Sequence, residues 1–395
     1  MPPFRLAALA SHPIQYQAPL FRALAARPEI ELHVFFCERW GLRNYRDPGF
    51  RAEFSWDIPL LGGYRFSFLR NLNPFPNPSS FWSCLNPGIV PAVRSGRFDA
   101  LWIHGWALAS NWISLAAAPS RLPILLRAET NGLAEPAGLR KAVKRILLAH
   151  FFGRISAFLA IGTRNAAFYR SYRIPSERIF WTPYAVDNEF FIKGAQQLSA
   201  QKALLREKEG IPPNLPVILF CGKLSKQKCP ADLLKAFAIL SRFVKASLVF
   251  VGDGPLRLRL RHLAEKGGLS NVFFLGFRNQ SQMPSCYAMA DVLVLPSAFE
   301  PWGLVVNEAM CCGLAVIASD RVGAAVDLVK EGDNGFTYPA GDGEALADRL
   351  QKVLGDAAES RRMGQRSLEI IRPWGIREEV AGLIQALRSV VPEGA

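Results

Sequence analysis

Short, almost uninterrupted apolar runs alternate with amphipathic segments along this 395-residue chain, and that alternation limits the fold more than any other feature. Runs such as VILFC (217–221), SLVFV (247–251) and VLVL (292–295) have no polar face, so each must be covered on both sides. Strands of this kind lie in parallel sheets with helices on both faces. In the first half the pattern predicts strands at 4–10, 31–36, 100–104, 124–127 and 157–161, with helices at 18–26, 139–152 and 164–172. In the second half it predicts strands at 217–221, 247–251, 272–275, 292–295 and 315–318. Helices follow there at 231–243, 256–265, 282–289, 304–310 and 344–354.

The fold class read from this is α/β, with two doubly wound, Rossmann-like domains in series and ligands at the C-terminal ends of their strands. The first domain spans 1–183 and carries an irregular insertion at 39–98, rich in Pro, Gly, Asn and aromatic residues. Long structured insertions of this sort are usually functional. A linker with a charged helix fills 184–215, the second domain spans 216–372, and a helix in 373–395 is expected to pack back towards the first domain.

Composition removes other classes. Half of the residues are hydrophobic and a fifth are charged, so the chain is not disordered. Seven cysteines without a C-x-x-C pair exclude a zinc module or a disulfide scaffold and favour a reducing compartment. The start reads as a first strand rather than an export signal, and 100–120 reads as a strand followed by a helix rather than a membrane span. The expected location is cytoplasmic. The net charge of +14 is uneven: residues 1–190 hold 22 Lys and Arg against 12 Asp and Glu, and residues 191–395 hold 25 against 21. Such a field attracts anions. Basic runs interleaved with exposed aromatics are missing, so nucleic acid is not an expected partner.

Two segments carry chemistry. In SAFEPWGLVVNEAMCCGLAV (297–316), Glu300 ends a strand-following loop and Glu308 lies inside the next helix, which begins near Gly303 or Leu304. The first amides of that helix suit an anion, and Glu308 suits sugar hydroxyls. The bland alternative is acidic side chains favouring a helix start. In FCGKLSKQKCPADLLKAF (220–237), Gly222 frees the backbone after a strand, and Lys223 and Lys228 precede a helix that Pro230 opens. Cations there suit a diphosphate, although single loop lysines are commonly solvated.

Gly-Lys-Leu with a lysine five residues on, VGDGP (251–255), FLGF (274–277) and the spaced glutamates occur in an order and spacing that resemble the carboxyl-terminal domain of glycosyltransferase family 4, retaining transferases of the GT-B fold. RIFWTPYAVDNEFF (178–191) is similar to that family's interdomain passage. The resemblance implies a nucleotide-sugar donor bound by the second domain and an acceptor bound by the first. It implies that Lys223 and Lys228 hold the diphosphate and that Glu300 faces the donor sugar near the reacting carbon. It places Glu308 on the ribose, the amides around Gly303, Leu304 and Val305 on sugar or phosphate, and the turn Gly276, Phe277 and Arg278 against the base. His104 matches a histidine near the donor sugar, although a lone histidine after a buried strand is more often structural. The sequence departs from the family at Cys229, where Gly is usual, and at His12-Pro13, where many members have a Gly pair. It departs again at Gly323-Ala324-Ala325-Val326-Asp327, where a Glu is usual.

The implied activity is retaining transfer of a hexosyl group from a nucleoside diphosphate sugar to a hydroxyl of a carbohydrate or lipid-linked acceptor, in cell-surface polysaccharide or glycolipid synthesis. No Asp-x-Asp occurs, so no metal is expected, and with the nucleoside diphosphate sugar as donor substrate no cofactor is expected either. A sugar-nucleotide epimerase or phosphorylase of the same fold is the alternative, and a basic nucleic-acid-binding protein a distant one. Residues 139–152 (LRKAVKRILLAHFF) place Arg140, Lys141, Lys144 and Arg145 beside apolar residues at helical spacing. That suits peripheral contact with an anionic membrane, and equally a core-packed helix with a solvated basic face.

Overall fold

The computed structural model describes residues 2–42, 44–47, 49–77, 80–134 and 138–392. It packs as two compact units. One comprises Met1–Asn44, Ile58–Tyr184 and Ile376–Ala395, and the other Tyr45–Asp57 and Ala185–Gly375.

In the first unit, β1 (Phe4–Ala10) and β2 (Ile30–Phe36) precede two short strands of the second unit, β3 (Tyr45–Asp47) and β4 (Ala52–Phe54). The first unit continues with β5 (Arg65–Phe68), β6 (Ala100–His104), β7 (Ile124–Arg127), β8 (Ala157–Ala160) and β9 (Ile179–Trp181). Its strands form a parallel sheet in the order β5-β2-β1-β6-β7-β8-β9. The central strands β7 and β8 are buried end to end and β6 up to Ile103, as their apolar composition requires. The helix Ile376–Val390 lies on this sheet, where Leu383, Ile384 and Leu387 join Leu6, Phe21 and Leu159 in one core.

The second unit holds β10 (Val217–Cys221), β11 (Ser247–Val251), β12 (Val272–Gly276), β13 (Val292–Leu295), β14 (Ala315–Ser319) and β15 (Gly335–Tyr338). They form a parallel sheet in the order β12-β11-β10-β13-β14-β15. The chain reverses its direction of sheet growth between β10 and β13, a topological switch point. β3 and β4 form a separate antiparallel hairpin that packs with this unit, although it lies inside the segment read from sequence as a first-domain insertion.

The apolar runs are strands within a residue or two of the expected bounds, and the 100–120 segment is β6 followed by the helix Ala109–Ala117. Among the described residues no helix is long and apolar enough to cross a membrane. The seven cysteines are free thiols.

Candidate active site

The loops after β10, β11 and β12 are tied edge to edge by their own backbones. Gly222 N donates to Val251 O (2.9 Å), Gly252 N to Gly276 O (2.8 Å) and Leu224 N to Asp253 O (2.9 Å). Gly252 has φ 128°, and a Cβ there would fall 2.0 Å from Gly222 O, so only glycine allows these loops to lie so close. This is the physical content of the GKL, VGDGP and FLGF segments: together they build one rim at the C-terminal edge of the sheet.

Lys223 and Lys228 project from the loop after β10, and Glu300 from the loop after β13, on the two sides of the switch point. Lys228 Nζ pairs with Glu300 Oε2, which also accepts from Ser297 Oγ at 3.3 Å. Two of the sequence-predicted groups are thus in direct contact. Lys223 Nζ lies 3.1 Å from Asp47 Oδ1 and 4.9 Å from the centre of the Phe50 ring. Cys229, after Lys228, takes a left-handed backbone (φ 50°, ψ 42°) before Pro230 starts the helix Pro230–Leu240, so the turn keeps a glycine-like shape without glycine.

The helix Leu304–Cys311 starts from Gly303, whose φ of 100° turns the chain out of the Glu300 loop. A Cβ on Gly303 would meet Leu295 Cδ2 at 2.8 Å. Leu304 and Val305 begin the helix, where amides have no intrahelical acceptor. Within the same helix, Glu308 Oε2 accepts from Tyr287 Oη at 2.6 Å. Burial pushes the Glu308 carboxyl up to about 7, against the pull of the Tyr287 hydrogen bond. Tyr287, on the helix Met283–Ala288, is a partner that sequence reading missed. Its only signal was an aromatic residue at a buried helical position.

At the Gly276 turn, Phe54 stacks on the ring of Phe277 at 4.2 Å and 23°. Arg278 Nη2 is held by both carboxylate oxygens of Glu209 at 2.8 Å.

His104 belongs to the first unit, at the end of β6. Gln17 Nε2 lies 3.3 Å from its Nδ1, and with Gln17 donating, the ring proton sits on the buried Nε2. Burial, with Arg127 nearby, holds this imidazole well below its usual range, so it is neutral at pH 7. One strand over, Arg127 is buried against Glu379 (2.5 Å) and lies over the Tyr184 ring, whose hydroxyl donates to Glu129. Sequence reading passed over this group. The only clue was two charged residues, Arg127 and Glu129, ending an apolar run.

Known proteins agree with this architecture. Residues 201–369 match the family model described as glycosyl transferases group 1. Over 168 residues the chain is 33% identical to the N-acetyl-alpha-D-glucosaminyl L-malate synthase of Bacillus anthracis, covering 42% of this chain and 43% of that protein. Over 300 residues it is 28% identical to the D-inositol 3-phosphate glycosyltransferase of Xylanimonas cellulosilytica, covering 73% and 71%. The chain spans about half the length of the first curated relatives it matches. Among solved structures it is similar to a sucrose-phosphate synthase from Thermosynechococcus elongatus, with TM-score 0.76, 22% identity and coverage of 98% and 99%. It is also similar to Anabaena HepE in complex with UDP and glucose, with TM-score 0.72, 19% identity and coverage of 97% and 99%. The chain therefore has the two-domain, Rossmann-like GT-B fold, and its residues 201–369 match the model of glycosyl transferases group 1.

Proposed function

We propose that this protein is a retaining glycosyltransferase that moves a hexosyl group from a nucleoside diphosphate sugar to an acceptor hydroxyl, in cell-surface polysaccharide or glycolipid synthesis. The observation that carries this reading is the Lys228–Glu300 contact at the switch point of the second sheet, with Lys223 on the same loop after β10 and the helix Leu304–Cys311 starting from the Glu300 loop. As the bond to the diphosphate breaks, negative charge grows on the leaving group and positive charge on the sugar ring. Two ammonium groups and the first amides of a helix, fixed beforehand, stabilise the departing charge without a metal ion. Lys228 now holds Glu300, so an arriving diphosphate exchanges one anion for another at that cation. Glu300 is then released towards the sugar, and Glu308 takes the ribose hydroxyls. His104, neutral and with its proton on Nε2, is suited to donate a hydrogen bond to a sugar hydroxyl.

The reading needs no organic cofactor, and the donor is a substrate. Nucleotide release measured with and without acceptor hydroxyls tests it. Release that depends on an acceptor supports transfer, and the absence of any acceptor-dependent release counts against it and leaves the epimerase or phosphorylase reading.

The acceptor reading extends to an anionic membrane surface. The helix Leu139–Gly153 buries Leu148, Phe151 and Phe152, yet leaves Leu139 (80%) and Ile146 (71%) exposed beside Arg140, Lys141, Lys144 and Arg145. Val143 and Leu147 of this helix line a groove of about 410 Å³ with Trp106 and Trp112. Exposed apolar side chains interleaved with cations suit a headgroup layer bearing a lipid-linked acceptor. Flotation with anionic vesicles at low salt tests this, and protein left at the bottom of the gradient ends the membrane part of the proposal.

A further inference from the structure

The hairpin of β3 and β4 lies on the groups assigned to the donor, and its chemistry imitates the donor at two points. Asp47 places both carboxylate oxygens near Lys223 Nζ, at 3.1 and 3.3 Å. The same carboxylate is held in place by the backbone amides of Gly49 and Phe50, each 2.8 Å from Oδ1. The Gly49 backbone lies so close that a Cβ there would fall 2.6 Å from Lys223 Cδ and Nζ. Phe50 completes the enclosure with its ring under the ammonium. At the Gly276 turn Phe54 covers Phe277 in a stacked pair, and Phe50 meets the same ring edge-on at 5.2 Å. Two further contacts pin the hairpin: Asn279 Nδ2 donates to Ser55 O (2.6 Å), and Ser281 N donates to Asp57 Oδ1 (3.2 Å).

We propose that residues 45–57 are a built-in competitor of the donor, with the Asp47 carboxylate on the cation that a diphosphate would take and Phe54 on the face that a base would take. The inference rests on the donor reading of Lys223 and Phe277. A donor diphosphate carries more negative charge than one carboxylate, so it displaces Asp47, while neutral sugars and acceptors do not. The contacts are individually modest, since Lys223 is partly exposed. The hairpin is therefore a weak brake, released by the ligand it resembles.

Titration of UDP, GDP and ADP into the full chain, its Asp47→Asn and Phe54→Ala variants, and a Lys223→Ala control tests the inference. Asn keeps an oxygen for the Gly49 and Phe50 amides while removing the charge. Asp47→Asn and Phe54→Ala are expected to bind the preferred diphosphate about fivefold tighter than wild type, the scale of a partly exposed ion pair. Backbone amides of 45–57 are expected to exchange faster when the diphosphate is bound. Unchanged or weaker binding in both variants overturns the inference, even where Lys223→Ala weakens binding and the donor reading survives. If none of the four proteins binds any of the diphosphates, the donor reading and the inference fall together.

Discussion

The Tyr287 hydroxyl donates to Glu308 Oε2 across 2.6 Å, and this pair joins two helices of the second unit. The carboxylate is buried enough for its pKa to rise to about 7. Between the ordinary carboxyl range and pH 7 the folded chain keeps a proton at Glu308 that the unfolded chain has released. Its contribution therefore makes stability fall as pH rises through that window.

Two consequences are measurable at this pair. Glu308→Gln keeps an acceptor for Tyr287 and removes the buried charge. It is expected to raise the unfolding free energy at pH 8 by about 1–2 kcal/mol and to leave it nearly unchanged at pH 5. Nucleoside diphosphate binding is expected to weaken in wild type as pH falls from 8 to 6, and to be weaker with a shallower pH dependence in Glu308→Gln, where only the ligand's own phosphate still titrates. Chemical denaturation and titration at the three pH values check both, and a variant less stable at pH 8 contradicts the assignment.

Cys229 holds a left-handed backbone that costs a side chain of this kind about 1 kcal/mol relative to glycine. Cys229→Gly is therefore expected to leave the Lys228 turn in place and to stabilise the chain slightly, by up to about 1 kcal/mol. A thermal unfolding comparison decides. A clear loss of stability means that the thiol, which lies 3.2 Å from Lys226 O, contributes more than the strain removes.

Gly252→Ala places a methyl group where Gly222 O stands, and the two loops must part. The expected cost exceeds about 2 kcal/mol, in the range of mutations with a named steric mechanism. The same variant is expected to lose nucleotide binding, because the Lys223 loop shares that backbone seam. Equal unfolding midpoints for variant and wild type speak against the seam.

Glu379 anchors the helix Ile376–Val390 to the first unit through Arg127, with both side chains almost fully buried, at 3% and 5% exposure. Glu379→Ala leaves a guanidinium buried without its carboxylate, and a loss of about 3–5 kcal/mol is expected. Hydrogen exchange along 376–390 reports it directly: protection lost first in this helix supports the anchor, and protection unchanged refutes it.

What the sequence made legible follows from physics that is local. Strands β10, β11, β13 and β14 announce themselves because burial on both faces requires unbroken apolar runs. Strands β5, β9 and β15 do not. RFSF, IFW and GFTY are short, and Gly335 looks like a turn residue, although it is there because a Cβ would fall 1.8 Å from Val316 O. The Lys228–Glu300 contact was readable as two functional groups in one rim, since both follow strands next to each other in the sheet. The Lys223–Asp47 pair was not. Its partners stand 176 positions apart, and the acid lies in a stretch whose composition predicts only irregularity. Long-range ion pairs of that sort leave no periodicity to read.

The measurement closest to the central claim is calorimetric titration of UDP, GDP and ADP into wild type and Lys228→Ala. The account predicts that wild type binds one of these diphosphates and that the variant binds it at least about tenfold more weakly, because a buried-side cation is lost and Glu300 is left facing the phosphates. Equal affinity in the two proteins, or no binding of any diphosphate to wild type, contradicts the account.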